Sequence, residues 1–288
     1  MKDLFQTIRL HQWTKNLLVF IPIIMAHRLA SRDLLLNAGL AFAAFSLCAS
    51  ASYILNDWRD IERDRSHPKK RHRPLASGAV SVPAASLLAF FLLAGAGGLT
   101  LLLPRDFAWV LSVYVFFSAF YSLALKRVVL MDVMVLAFFY ALRIFAGAVA
   151  IGVEVSSWLL AFSIFIFFSL ALLKRYSELT FLSIDAGALT GRGYRKGDVD
   201  SLARLGTASG LLSVLVLALY VSSAEVTALY SHPRLLWLLC PVMLYWVSRV
   251  WLLAHRGEIP DEPIVFALRD RASYVAGILA GAIVWAAS

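Results

Sequence analysis

Residues 34–64 read LLLNAGLAFAAFSLCASASYILNDWRDIERD. The first 22 carry no charge, enough helix at 1.5 Å per residue to cross about 30 Å of hydrocarbon. The last nine hold four acids and two arginines. A span that ends in a charged turn sets the frame for the rest of the chain. Apolar runs of similar length recur near 16–30, 34–55, 83–103, 106–125, 129–151, 156–175, 202–223, 234–254 and 267–287, which predicts nine transmembrane helices. The expected fold is an all-α integral membrane protein, one transmembrane domain over 1–288. Across 288 residues, 60% are hydrophobic and 16% charged, and mean hydropathy is +0.76. Such a chain is not a soluble domain, a disordered segment or a coiled coil. Cys48 and Cys240 lie far apart in apolar runs, which excludes a disulfide scaffold and a cysteine metal site. The opening MKDLFQTIRLHQW has no small-residue cleavage site, so the first helix is expected to be retained.

The formal charge of +9 is a topology signal. With the N-terminus in the cytosol, 22 of the 27 Lys and Arg fall on that side. Only Arg28, Arg32, Arg105 and Arg234 lie opposite, and Arg143 lies within a span. The positive-inside rule therefore predicts N-terminus in and C-terminus out. A nucleic-acid partner is not expected. The long connections, 56–82, 174–201 and 255–266, fall on the cytosolic side, where function is expected around a central cavity open to the cytosol.

Asp57, Asp60 and Asp64 stand at i, i+3 and i+7, one stripe of a helix, with Asn56 beside the first. Like charges so placed repel, and a divalent cation among them relieves this. Hard oxygen donors favour Mg²⁺, which bridges a few carboxylates to a diphosphate while keeping several waters. The bland alternative is a solvated helix end, because Arg59, Arg63 and Arg65 interleave with the acids.

Asn56-Asp57-x-x-Asp60-x-x-x-Asp64 resembles the first Asp-rich motif of the UbiA superfamily of intramembrane prenyltransferases. The resemblance implies that these four residues hold Mg²⁺ and the donor's diphosphate. That family carries a second Asp-rich motif after its sixth helix. Here the matching stretch is ALLKRYSELTFLSIDAG, with Lys174, Arg175 and Tyr176 before Glu178, and Asp185 seven residues on. A basic turn suits a phosphate that no metal holds, which suggests two phosphorylated substrates. Within the superfamily the chain is similar to the decaprenyl-phosphate phosphoribosyltransferases, on RLHQWTKNLLVFIP, NDWRDIERDRSHPKKRHRPLASG, YSLALKR, LRIFAGA, LKRYSEL and FALRDR. That branch implies Mg²⁺-dependent transfer of phosphoribose from 5-phosphoribosyl 1-diphosphate to a polyprenyl phosphate. Such a glycosyl transfer would serve cell-envelope biosynthesis at a bacterial plasma (inner) membrane, with the site facing the cytosol.

Other residues expected to contact substrate are Lys15, Arg73, Tyr121, Lys126, Arg127 and Arg143. Arg143 lies in a span, where a charge costs about 2.5–3.5 kcal/mol unless it faces a polar partner, either a substrate phosphate or a carboxylate such as Asp132. Lys69 and Lys70 read as ordinary juxtamembrane charges. Gly191 and Gly193 mark a loop in which Arg192, Tyr194, Arg195 and Lys196 are expected to form a lid. Gly277 and Gly281 make a small-residue patch compatible with packing within one chain or in a homo-oligomer. The acceptor phosphate is ionised at neutral pH, so no strong general base is required, and positioning and electrostatics would carry the rate. The rival readings are prenyl transfer from an allylic diphosphate to an aromatic or other acceptor, and a non-enzymatic lipid carrier.

Overall fold

The structure, a computed structural model, describes residues 2–66, 70–181, 192–259, 266 and 270–288. Lys69, Asp185, Gly191 and Arg269 lie outside the described residues, as do 182–190 of the connection after α9 and 260–265 of the last long connection. Among the described residues all regular structure is helical. The helices are α1 (Lys2–Ile8), α2 (Ile21–Met25), α3 (Arg32–Arg59), α4 (Ile61–Arg65), α5 (Pro74–Ser77), α6 (Val82–Thr100), α7 (Arg105–Leu123), α8 (Met131–Ile151), α9 (Ser157–Thr180), α10 (Val199–Val221), α11 (Ala224–Leu229), α12 (Leu239–His255) and α13 (Arg271–Ala287). Short 3₁₀ turns extend α10 and α12 at their N-terminal ends.

Seven of these segments are long and apolar enough to cross a membrane: α3, α6, α7, α8, α9, Lys196–Val221 and Pro233–His255. The other two expected spans take different forms. The run near 16–30 is a 3₁₀ segment, Leu10–Phe20, followed by the short α2. Pro22 has no N–H to donate back toward Leu18, and the Ile21 N–H bonds Leu18 instead. Because 3₁₀ helix rises about 2 Å per residue, the two pieces still cover about 30 Å. The last run is α13, 17 residues long.

The chain divides into two compact units. Unit 1 comprises 1–126 and 139–155. Its spine is α3, whose small residues Ala38, Ala41, Ala44 and Cys48 are buried and let α6, α7 and the 3₁₀ segment pack closely. Serines on α3 fix that segment: Asn16 Nδ2 donates to Ser46 Oγ (3.0 Å), Trp13 Nε1 to Ser50 Oγ (3.0 Å), and Ser50 Oγ to the Ile8 carbonyl (2.8 Å). A Cβ on Gly147 of α8 would overlap the Val19 carbonyl, so only glycine admits this approach.

Unit 2 comprises 127–138 and 156–288. Its core is α9, α10 and α12. Gly206 and Gly210 of α10 leave no room for a Cβ beside Trp251 and Val247. Ser169 Oγ donates to the Gly206 carbonyl (2.6 Å) and accepts from Trp251 Nε1 (3.0 Å). Nothing lies within 4 Å of a Cβ placed on Gly277 or Gly281, so no partner within the described residues uses that patch.

Candidate active site

The carboxylates of unit 1 do not remain one stripe. Helix α3 stops at Arg59, and Asp60, with φ −104° and ψ 11°, is the joint from which α4 sets off. Asp57 and Asp64 are buried and both accept from one nitrogen of Arg73, Nη1, at 3.0 and 2.6 Å. Arg73 is positioned by the following proline, which keeps it extended (φ −64°, ψ 143°) at the start of α5. Asp60 instead takes Lys126 Nζ on both oxygens (2.9 and 2.8 Å), and the same ammonium donates to Asn56 Oδ1 at 3.0 Å. Lys126 is itself buried, whereas the adjacent Arg127 is exposed.

A further cation completes the group. Arg9 Nη2 straddles both oxygens of Asp57 (2.6 and 2.7 Å), and its guanidinium lies over the Tyr53 ring. Sequence reasoning missed Arg9, which looks like one more positive-inside residue. The only signal was its place at the head of RLHQWTKNLLVFIP. Three carboxylates are thus matched by three cations.

Does this donor set fit the Mg²⁺ that the motif implies? Hard carboxylate oxygens are what Mg²⁺ takes, and two of these carboxylates already converge on a single cationic nitrogen. Among the described residues no three His, Cys, Asp or Glu side chains are gathered closely enough to hold a metal unaided. A metal here would complete its shell with water and phosphate oxygens, the usual habit of Mg²⁺. The residues fit on those terms.

The remaining candidates of unit 1 are Arg143, Tyr121 and Lys15. Arg143 is buried and meets neutral groups: Nε donates to Asn16 Oδ1 (2.6 Å), Nη1 to the Phe139 carbonyl (2.6 Å) and Nη2 to the Tyr114 hydroxyl (3.3 Å). The rings of Tyr114 and Tyr140 add cation–π contact. Asp132, the carboxylate suggested as the partner of Arg143, pairs with Arg175 among the described residues. Tyr121 packs edge-on against Phe139, and Lys15 is half-buried in the 3₁₀ segment.

Unit 2 holds the second set. Arg175 Nε donates to the buried Asp132 (2.6 Å), and its Nη1 pairs with Glu178 one turn on. Tyr194 is fully buried; its hydroxyl donates to Asp132 and accepts from the Leu130 N–H at 3.0 Å. Burial, then the bond to Asp132, pushes the Tyr194 hydroxyl above its ordinary pKa. Arg192 reaches Asp132 at 3.8 Å. Arg195 is exposed, and its backbone N–H is capped by Asp198 (2.8 Å). Of the expected lid residues, then, Tyr194 is an anchor rather than a surface group. Tyr176 lies between Trp251 and His255, and Lys174 is half-buried beside the Arg175–Glu178 pair.

A helical membrane protein whose carboxylate motif ends its longest span is a member of a known class: the chain belongs to the UbiA prenyltransferase family, whose model matches residues 17–269. It is a membrane transferase. Over 280 residues it is 40% identical to the uncharacterized protein y4nM of Sinorhizobium fredii, covering 96% of this chain but 54% of that one, so the chain spans about half of that relative. It is 35% identical to the nodulation protein NoeC of Azorhizobium caulinodans, covering 94% of this chain and 88% of that one. It is 32% identical to the decaprenyl-phosphate phosphoribosyltransferase of Mycobacterium tuberculosis, covering 92% and 87%. A solved UbiA homolog from Archaeoglobus fulgidus, bound to GPP and Mg²⁺, matches with a TM-score of 0.72 at 16% identity over 98% of this chain and 96% of that one. That likeness shows the fold alone.

Proposed function

We propose that this transferase moves 5-phosphoribose from 5-phosphoribosyl 1-diphosphate to a polyprenyl phosphate and releases diphosphate. One observation carries the choice of substrates. In the turn where prenyltransferases of the family keep a second acidic motif, Glu178 is engaged by Arg175, which also takes Asp132 at the start of α8, and Lys174 stands alongside. The turn thus sets one acid among two cations, and a net positive turn suits a phosphate better than a metal. The similarity to a decaprenyl-phosphate phosphoribosyltransferase over nearly the whole chain supports the same choice.

In this reading Asp57, Asp60 and Asp64 hold Mg²⁺, which when bound withdraws charge from the departing diphosphate. Asn56, Arg73 and Lys126 orient that diphosphate, and Lys15, Tyr121, Arg127 and Arg143 contribute to binding either substrate. Lys174 holds the phosphate that no metal reaches. Arg175, Tyr176 and Glu178 fix its turn, while Tyr194 anchors the segment from which Arg192 and Arg195 close over the donor. The acceptor phosphate is already an anion, so the protein need only aim it at the anomeric carbon. The nine-span topology adds Leu10–Met25 and α13 to the seven apolar segments. The bias of 22 basic residues against four supports N-terminus in, C-terminus out and a site facing the cytosol of a bacterial plasma membrane.

Apparent KM values for both substrates in wild type, Lys174→Ala and Lys174→Asp test the reading. Lys174→Ala is expected to weaken one phosphorylated substrate by roughly ten- to hundredfold, and Lys174→Asp by more. Wild-type binding of both substrates by Lys174→Asp would contradict it. Allylic prenyl transfer that survives or improves with an acid at 174 would favour the rival reaction.

A further inference from the structure

Arg9 is the cation of the cluster with the most unusual backbone. Its φ of 55° and ψ of 51° place it in the left-handed region, which a long L side chain rarely adopts. It sits at the junction between α1 and the 3₁₀ segment, where its carbonyl accepts the Gln12 N–H (2.8 Å) and its own N–H reaches the Gln6 carbonyl (3.2 Å). The side chain is held by Asp57 and by the face of Tyr53. The main favourable contact of this strained residue is therefore an oxygen pair on a carboxylate read here as a metal ligand.

Charge sharpens the point. Asp57, Asp60 and Asp64 are matched by Arg9, Arg73 and Lys126, so the cluster has no net negative charge to draw a divalent cation from water. A metal that takes Asp57 competes with Arg9, which spans both of its oxygens, and a guanidinium that yields needs a new anion. A diphosphate arriving with the metal is such an anion. We infer that Arg9 is a positioning residue that exchanges Asp57 for the diphosphate, so that metal and diphosphate bind as a unit and neither binds well alone. Linkage makes the coupling reciprocal: diphosphate raises the affinity for metal by the same factor as metal raises the affinity for diphosphate. The inference rests on the reading that Asp57 holds the metal.

The test uses the full-length protein in detergent and Mn²⁺ as the probe. Binding of Mn²⁺ alone is followed by electron paramagnetic resonance, and binding of premixed Mn²⁺–diphosphate by equilibrium dialysis of labelled diphosphate. In Arg9→Gln, Mn²⁺ alone is expected to bind about tenfold more tightly than in wild type, and the complex about tenfold more weakly, the size of one charge-assisted contact. Arg9→Lys, which keeps the charge, is expected to restore much of both. A purely structural Arg9 would shift thermal stability without moving the two affinities in opposite directions, so parallel change, or no change, in both overturns the proposal. Asp57→Asn separates the failures. If it still binds Mn²⁺–diphosphate as wild type does, the metal assignment falls and the proposal with it. If it loses binding while Arg9→Gln leaves both affinities unmoved, the proposal falls alone.

Discussion

Asp60→Asn is the cleanest single substitution in the carboxylate cluster, because Asp60 is the most accessible of the three and its partner Lys126 keeps Asn56. Turnover is expected to fall at least about a hundredfold, with the thermal midpoint within a few degrees of wild type, as for loss of one metal ligand. Near-normal turnover at saturating Mg²⁺ would contradict its role. Asp57→Asn differs, since it strands Arg9 and Arg73 as well as removing a ligand. Arg175→Gln is expected to act on stability instead: it leaves Asp132 without its main partner in the interior, a loss of about 3–5 kcal/mol, measurable as a large drop in thermal midpoint or in detergent-soluble yield. At this scale the acids were legible because their spacing is a helical stripe with a chemical meaning. Their counter-ions were less so. Arg9 and Asp132 find their partners 48 and 43 residues away, and no local period marks either pairing.

The last helix starts at a cap. Asp270 accepts from the Ser273 N–H (2.8 Å) and pairs with Arg249 (2.7 Å), so it both satisfies the first turn of α13 and ties that helix to α12. Burial alone would raise its carboxyl pKa, but the bonds from Arg249 and Ser273 outweigh it and hold the group below the ordinary carboxylate range. A folded-state pKa below the unfolded one contributes stability above the unfolded value, near 3.9, and that contribution is lost as pH falls through the folded value. Asp270→Asn is therefore expected to lower the thermal midpoint at neutral pH, the gap from wild type closing as pH drops below about 4. A gap independent of pH would contradict the charge-based account. Element existence was readable from apolar run length wherever the run was plain, as for 129–151 against Met131–Ile151. It was not readable at 16–30, where Pro22 and the side-chain bonds from Trp13 and Asn16 to α3 favour 3₁₀ geometry over α. The break at Asp60 was also hidden, because the motif's spacing fits an unbroken helix equally well.

For the whole molecule, composition alone separates this chain from soluble folds, and the basic bias supplies an orientation that can be tested. With Cys48 and Cys240 replaced by serine, single cysteines near residues 71 and 230 are expected to label from the cytosolic and outer faces respectively with a membrane-impermeant maleimide; reversed labelling would contradict the orientation. What composition cannot supply is chemistry, since one family of such chains includes relatives named for prenyl transfer and for phosphoribosyl transfer. That choice rests on one turn, 174–178, and on relatives. The most direct test of the central claim is to incubate purified protein, Mg²⁺ and polyprenyl phosphate with 5-phosphoribosyl 1-diphosphate labelled in the ribose, and to follow label into the lipid fraction. Label is expected in lipid, with stoichiometric release of unlabelled diphosphate, and neither with Asp60→Asn nor without Mg²⁺. An unlabelled lipid fraction, together with turnover of an allylic diphosphate by the same preparation, would contradict it.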